Sequence, residues 1–370
     1  MAETAPFHPI LKPKFPYHLL AYPVDLIINF PHLVTPSPLP KTIHNMHVLS
    51  NQETQQPAPM PINIPSANLI QAIEKIQAPL QHKYESIKIK LITAGGPQIF
   101  LVERKRDLKL FGAKVFDDIN VKGQTTQDYI KQVVKEFSLS KSMHHPNILN
   151  IYDVCRIGPM KFVGIIDYCP KSLLTLVNYS TLEPSQIVKY MEDIVGGLIY
   201  LHSEMELAHT NLNLESIMVD KNGTLKISEF SFVQSLAKKS TVDFFSNHFS
   251  LINKHQIDLE RKIMRGSEPY LAPEQFDLKD SRLTKLKPEF WIKGDTWSLG
   301  VIYTQLCSNG YLPWEVAKIE DNYYRYYYES GPGFIDELVK FKGNALIASA
   351  LLSIEPINRP GLDSILEALN

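Results

Sequence analysis

Proline is divided so unevenly along this chain that it decides where a packed core can form. Residues 1 to about 80 hold 14 of the 26 prolines and no glycine. Proline has no backbone N–H and fixes φ. Thr35-Pro-Ser-Pro-Leu-Pro40, then Pro57, Pro59, Pro61 and Pro65, therefore exclude long helices and central strands there. The expectation is an extended, mostly disordered arm over residues 1–80 and a folded domain over residues 84–370. Thr35-Pro and Ser37-Pro fit proline-directed phosphorylation, with an unmodified tail as the competing reading. The apolar piece Tyr22–Phe30 either docks on something or has no role. The arm's histidines lack metal-like spacing.

The rest has the composition of a globular protein: 44% hydrophobic and 21% charged over the whole chain, with a net charge of −1. Such a balance gives no electrostatic reason to expect nucleic acid or an acidic membrane as partner. Three cysteines, none in a Cys-x-x-Cys pair, argue against a disulfide framework and for a reducing, cytoplasmic setting. No apolar run reaches membrane-spanning length, and the N-terminus lacks a secretory pattern.

From Tyr84 the periodicity changes. Ser86–Ile92 alternates as a half-buried strand, Ala94-Gly95-Gly96-Pro97 turns, and Ile99–Val102 returns. Leu108–Phe116 reads as a third strand with Lys114 inside it, and a lysine there needs an anionic partner or solvent. Thr125–Met143 reads as an amphipathic helix carrying Glu136, with Tyr129, Val133, Phe137 and Ser140 near one face. Two more strands follow at Leu149–Tyr152 and Phe162–Ile166. Beyond them the pattern turns helical: Leu173–Val177, Glu183–Leu201, Thr296–Leu306, Phe334–Val339, Ala345–Leu352 and Leu362–Leu369. This is an α+β, two-lobed architecture, with a small β-rich lobe over about 84–168 and a larger helical lobe over about 169–370.

The stretch His209-Thr-Asn-Leu-Asn-Leu-Glu-Ser-Ile-Met-Val219, set between a helix and a hairpin turning at Asn222-Gly223, resembles the catalytic loop of protein kinases. Other landmarks occur in kinase order: His-His-Pro-Asn-Ile148, Leu201-His202, Gly266-Ser-Glu-Pro-Tyr-Leu-Ala-Pro-Glu274, Asp295-Thr-Trp-Ser-Leu-Gly300 and Asn358-Arg-Pro360. Together they resemble the eukaryotic Ser/Thr protein kinase domain over residues 84–370. Glu136-Phe137, the Gly266–Glu274 phrase and Leu312-Pro-Trp-Glu-Val-Ala317 look most like the fungal nitrogen-permease-reactivator and halotolerance branch. The resemblance implies structural roles for His209, Phe230, Glu274, Asp295 and Arg359, with Arg359 pairing Glu274.

It also implies where phosphoryl-transfer chemistry would sit, and there the chain departs from the pattern. Asn211 stands at the base position, Asn213 at the loop-lysine position and Ser216 at a metal-ligand position. Glu229-Phe230-Ser231 replaces Asp-Phe-Gly, and Thr210 replaces the arginine that reads activation-loop phosphate. Loss of a positioned base alone costs about 10²–10⁴-fold. Aligned through Gly95, the three glycine positions of the phosphate loop are Thr93, Gly95 and Gln98, with Pro97 removing a donor; a plain turn and a phosphate cradle both fit. Lys114 and Glu136 are intact, as either a structural ion pair or an anion-binding pair. Phe100 and Gly112 stand at two adenine-pocket positions, with Phe100 expected to face Gly112 and partly fill the pocket. If nucleotide binding is retained, the implied contacts are Ile92, Thr93, Gly95, Gly96, Phe100, Lys114, Glu136, Asp167 and Cys169, with Ile166 as gatekeeper. ATP stays open as a ligand, while Glu229 and Ser216 make a poor pair for Mg²⁺.

The long stretch from Glu229 to Glu274 reads as an inserted loop, phosphorylated at Ser240 or Thr241 or merely solvated. Tyr323–Tyr328 reads as a docking helix or as core. The function expected is that of a pseudokinase, a kinase-fold regulatory or scaffold protein acting through other proteins, active kinases or transporter regulators among them. The competing reading is a weak or unconventional ATP-dependent Ser/Thr kinase.

Overall fold

A computed structural model of the chain describes residues 99–116, 136–156, 162–236, 267–276, 287–339 and 343–369. Outside the described residues lie the Pro-rich arm 1–80 with Tyr22–Phe30 and its Thr35 and Ser37 sites, and the strand Ser86–Ile92. The turn at Ala94–Pro97, Tyr129, Val133, Ser240, Thr241 and residues 258–265 also lie outside them.

The first sheet is antiparallel with strand order β1-β2-β4-β3, built from β1 (Ile99–Glu103), β2 (Leu110–Phe116), β3 (Ile151–Arg156) and β4 (Phe162–Asp167). Strand β2 begins two residues later than its leucine alternation predicts. Leu108 has φ 55 and belongs to the turn. That turn is closed by Leu108 N–H to the Arg104 carbonyl at 2.8 Å and Arg104 N–H to the Lys109 carbonyl at 2.9 Å. The Asp107 carboxylate, gripping Arg104 at 2.6 Å, is held at a pKa of about 2. Residues 136–142 are helical (α1). Its Phe137 packs with Ile99, Leu149, Ile151 and Ile166 of the sheet side, in a cluster that also takes in Cys169 and Met218.

The helical part starts with α2 (Leu173–Tyr179), whose N-cap Ser172 accepts Thr175 N–H at 3.2 Å. Helix α3 (Pro184–Ile199) starts with proline in its first turn behind a Glu183/Gln186 capping box. The residues expected to carry it on through Leu201 widen into a π-turn, Tyr200–Glu204, closed by Met205 N–H to the Tyr200 carbonyl at 3.1 Å. A hairpin of β7 (Ile217–Val219) and β8 (Leu225–Ile227), joined to β5 (Lys171–Ser172), makes a three-stranded sheet. Its turn needs Gly223 at φ 80, and Asp220 Oδ1 accepts the N–H groups of Asn222 and Thr224. Strands β6 (Leu207–Ala208) and β9 (Gln234–Ser235) form a two-stranded pair around this hairpin.

Helix α4 (Pro288–Cys307) is the axis of this half, buried without interruption from Gly294 to Cys307. Burial on every side removes the amphipathic period, and Glu289, Lys293 and Asp295 hid its first eight residues from the periodicity argument. Against it pack α6 (Gly333–Val339) and α7 (Ala345–Leu351), while α5 (Asn322–Ser330) meets it through Tyr324 and α8 (Leu362–Leu369) packs on α3. Trp297 and Trp314 stack at 5.5 Å, with Tyr324 edge-on to Trp314 at 5.2 Å and Tyr327 beside it. Tyr324 and Tyr327 are 2% and 3% exposed, so the tyrosine run is anchored in the core and only Tyr328 stands out in solvent.

Candidate functional site

Residues 209–216 run between β6 and β7, and the side chains of Asn213 and Ser216 bond chiefly within the loop itself. Asn213 Oδ1 accepts the N–H groups of Glu215 and Ser216 at 2.8 and 3.0 Å. Its Nδ2 donates to the Asn211 carbonyl at 2.9 Å and to Ser267 Oγ at 3.2 Å. Ser216 Oγ accepts Asn213 N–H and donates to the Asn213 carbonyl, both at 3.0 Å. Asn211 is 7% exposed and its Oδ1 has no hydrogen-bond partner among the described residues. An amide oxygen accepts hydrogen bonds but has no useful basicity near neutral pH, so it cannot take a proton as a carboxylate does.

His209 supports the loop from beneath. Asn211 N–H donates to its Nδ1 at 3.3 Å, so the proton sits on Nε2, which donates to the Ser228 carbonyl at 2.9 Å. Burial pushes the His209 pKa down, against the pull of Asp295, and the ring is a neutral strut. Asp295 is fully buried and accepts His209 N–H and Thr210 N–H at 2.7 Å each, with His202 Nε2 at 2.9 Å. Those bonds hold Thr210 at φ 61, a conformation that a β-branched residue seldom adopts. Phe230 meets the His209 ring edge-on at 5.8 Å.

Lys114 on β2 lies 3.4 Å from Glu136 Oε1 on α1, both almost fully buried. Burial works to lower the lysine pKa, but the carboxylates of Glu136 and Glu229 outweigh it and the net direction is up. Lys114 is therefore held as a cation. Glu229 has φ 69 and leads into a 3₁₀ turn at Phe230–Phe232. From that turn Ser231 Oγ donates to the other oxygen of Glu136, Oε2, at 2.7 Å.

The pairing of β1 with β2 corrects one expectation. Phe100 pairs with Ala113, and Leu101 with Gly112. Side chains alternate along a strand, so Phe100 stands on the sheet face opposite to Lys114 and Gly112. The side chains over Gly112 are those of Ile99 and Ile166; a Cβ there would lie 2.9 Å from Ile166 Cγ1 and 3.2 Å from Ile99 Cγ2. The register of β1 on β2 is one residue off the alignment through Gly95, and one residue moves a side chain to the other face. The Asp167 carboxylate turns outward to Tyr152 OH at 2.7 Å, Asn150 N–H at 3.1 Å and Lys226 Nζ at 3.2 Å. Cys169 is 1% exposed, its thiol pKa raised by burial and its sulfur inert. Ile92, Thr93, Gly95 and Gly96 lie outside the described residues.

A model of the protein kinase domain matches residues 95–368. The chain belongs to the protein kinase family. It is 26% identical over 302 residues to a probable serine/threonine-protein kinase, RTK1, of Saccharomyces cerevisiae, covering 78% of this chain and 44% of that one. The nitrogen permease reactivator protein of the same yeast is 25% identical over 249 residues, covering 67% of this chain and 28% of its own. The yeast kinase HAL4/SAT4 is 28% identical over 222 residues, covering 59% and 32%. The resemblance to that fungal branch thus stands, and the matched part spans less than half the length of each of these relatives.

In this kinase domain Mg²⁺ would fall to Ser216 and Glu229, and they do not fit it. Mg²⁺ demands near-octahedral oxygen ligands, whereas the Ser216 hydroxyl is engaged on both sides within the loop. Among the described residues, no group of three His, Cys, Asp or Glu side chains is placed to hold a metal ion. Glu274 and Arg359 do meet, in a two-pronged pair at 2.6 and 2.9 Å. Three participants escaped sequence reasoning. Ser231 as a partner of Glu136, the Thr210 hydroxyl and Ser267 all act across long stretches of chain, where no local spacing betrays them.

Proposed function

We propose that this kinase domain is a pseudokinase, which acts by binding other proteins and transfers no phosphoryl group. The observation that carries the reading is the closed hydrogen-bond set of Asn213, Ser216 and Ser267, with Asn211 at the base position. Phosphoryl transfer needs charge neutralisation on the phosphates, a held metal and a group that accepts the hydroxyl proton. In this loop the three positions concerned bear no charge and two of them brace the backbone. Glu229 and the Lys114–Glu136 pair keep their charges, and the buried lysine is the feature that favours retained binding of an anion such as a nucleotide phosphate.

Active kinases and transporter regulators are the partner classes to test first, the second because one relative is named as a nitrogen permease reactivator. A cytoplasmic setting accords with Cys155, Cys169 and Cys307, all of them free thiols. The deciding experiment is transfer of radiolabelled γ-phosphate by the full-length chain, with Mg²⁺ or Mn²⁺ and generic protein substrates. The expected incorporation equals that of the Lys114→Ala variant. Incorporation that disappears in Lys114→Ala would establish the competing reading, a weak Ser/Thr kinase. Thermal shift with ATP, with and without metal, then separates nucleotide binding from turnover.

A further inference from the structure

We propose that two hydroxyl groups, on Ser231 and Thr210, latch the segment Glu229–Phe232 to helix α1 on one side and to the 209–216 loop on the other, and hold it there without phosphate or nucleotide. Glu136 is the centre of the first latch. Its oxygens are divided, Oε1 to Lys114 at 3.4 Å and Oε2 to Ser231 Oγ at 2.7 Å. All three residues are less than one-tenth exposed: Lys114 8%, Glu136 6%, Ser231 8%. Strand β2, helix α1 and the 229–232 segment therefore meet at one carboxylate. Swinging α1 away would strip a buried charge of both partners at once.

The second latch works from the opposite side. Thr210 Oγ1 donates to the Phe232 carbonyl at 2.7 Å, while the Thr210 N–H is held by Asp295 Oδ1 at 2.7 Å. Consecutive residues of one turn are thus tied in opposite directions, Ser231 towards the sheet and Phe232 towards the loop. The left-handed backbones of Thr210 and Glu229, at φ 61 and 69, lie at the two ends of this arrangement. Such conformations persist only where surrounding bonds over-determine them. Both latches are short hydroxyl bonds to oxygen, and in neither is the donor a cationic group. The inference does not rest on absent catalysis: the latches would hold equally in a weak kinase.

The test is hydrogen exchange, resolved by mass spectrometry, on the full-length chain and its Ser231→Ala and Thr210→Val variants. In Ser231→Ala the amides of residues 136–143 should exchange about tenfold faster or more, as expected when a hydrogen bond to a charged group is lost. Amides of Pro184–Ile199, in the core of the helical half, should be unchanged. In Thr210→Val the acceleration should fall on residues 230–235. Phosphatase treatment of the wild-type chain should leave both regions unaltered. Unchanged exchange over 136–143 in Ser231→Ala would overturn the proposal, as would equal acceleration throughout the molecule or deprotection on phosphatase treatment. Should Ser231→Ala fail to fold, Ser231→Gly, which adds no atom to the site, carries the same comparison.

Discussion

Arg359 is 1% exposed, and every one of its five N–H donors has an acceptor. Nε donates to the Ser353 carbonyl, Nη1 to Glu274 and the Lys293 carbonyl, and Nη2 to Glu274 and the Ile354 carbonyl. Its guanidinium lies 4.9 Å from the Trp297 ring. A cation buried this deeply is tolerable because its partner carboxylate is present, so removing that partner costs more than the pair contributes. Glu274→Gln should destabilise the chain by about 3 kcal/mol, read as a lower urea midpoint at unchanged slope. A shift no larger than that of an exposed surface substitution would contradict the account. This pairing was legible from sequence because kinase motifs place both residues. The outward-turned Asp167 was not, because its partners Asn150, Tyr152 and Lys226 carry no motif.

Strand β2 shows how an element can be right in type and still misplace a site residue. Alternating apolar residues identified the strand around Lys114, but register with β1 depends on pairing that periodicity does not encode. Gly112 marks the consequence, since Ile166 and Ile99 occupy the space over it. Gly112→Ala should cost about 1–3 kcal/mol, the usual penalty of overpacking. Ile166→Val should recover part of that loss, and a double-mutant cycle by chemical denaturation measures the coupling; strict additivity would show that the two sites do not touch. The tyrosine helix α5 was open to two readings for a similar reason. A stripe of aromatics at helical spacing looks alike whether it meets solvent or core, and only Trp297 and Trp314 decide it.

At the scale of the whole molecule, one buried histidine, His209, and one half-buried histidine, His145, contribute to the pH response. His209 and His145 both have pKa values lowered by burial, so the folded chain binds their protons less readily than the unfolded chain. Stability from this source is fully present above the ordinary histidine value of about 6.5 and is lost as pH falls below it. Urea midpoints should therefore decline between pH 7 and pH 5, before most carboxylates titrate; a flat profile over that window would refute the assignment. The sequence alone determined the α+β kinase frame, since residues such as Glu274, Asp295 and Arg359 sit in motifs whose order survives without coordinates. It also determined that asparagine, asparagine and serine stand at 211, 213 and 216, where the kinase pattern has a base, a lysine and a metal-binding amide. Only the tertiary structure decided what took their place: a loop bonded to itself and to Ser267, a glutamate shared between Lys114 and Ser231, and a threonine pinned between Asp295 and Phe232. Those bonds join residues up to 95 positions apart. Hydrogen bonds over such separations follow from how the chain packs, and local spacing holds no trace of them.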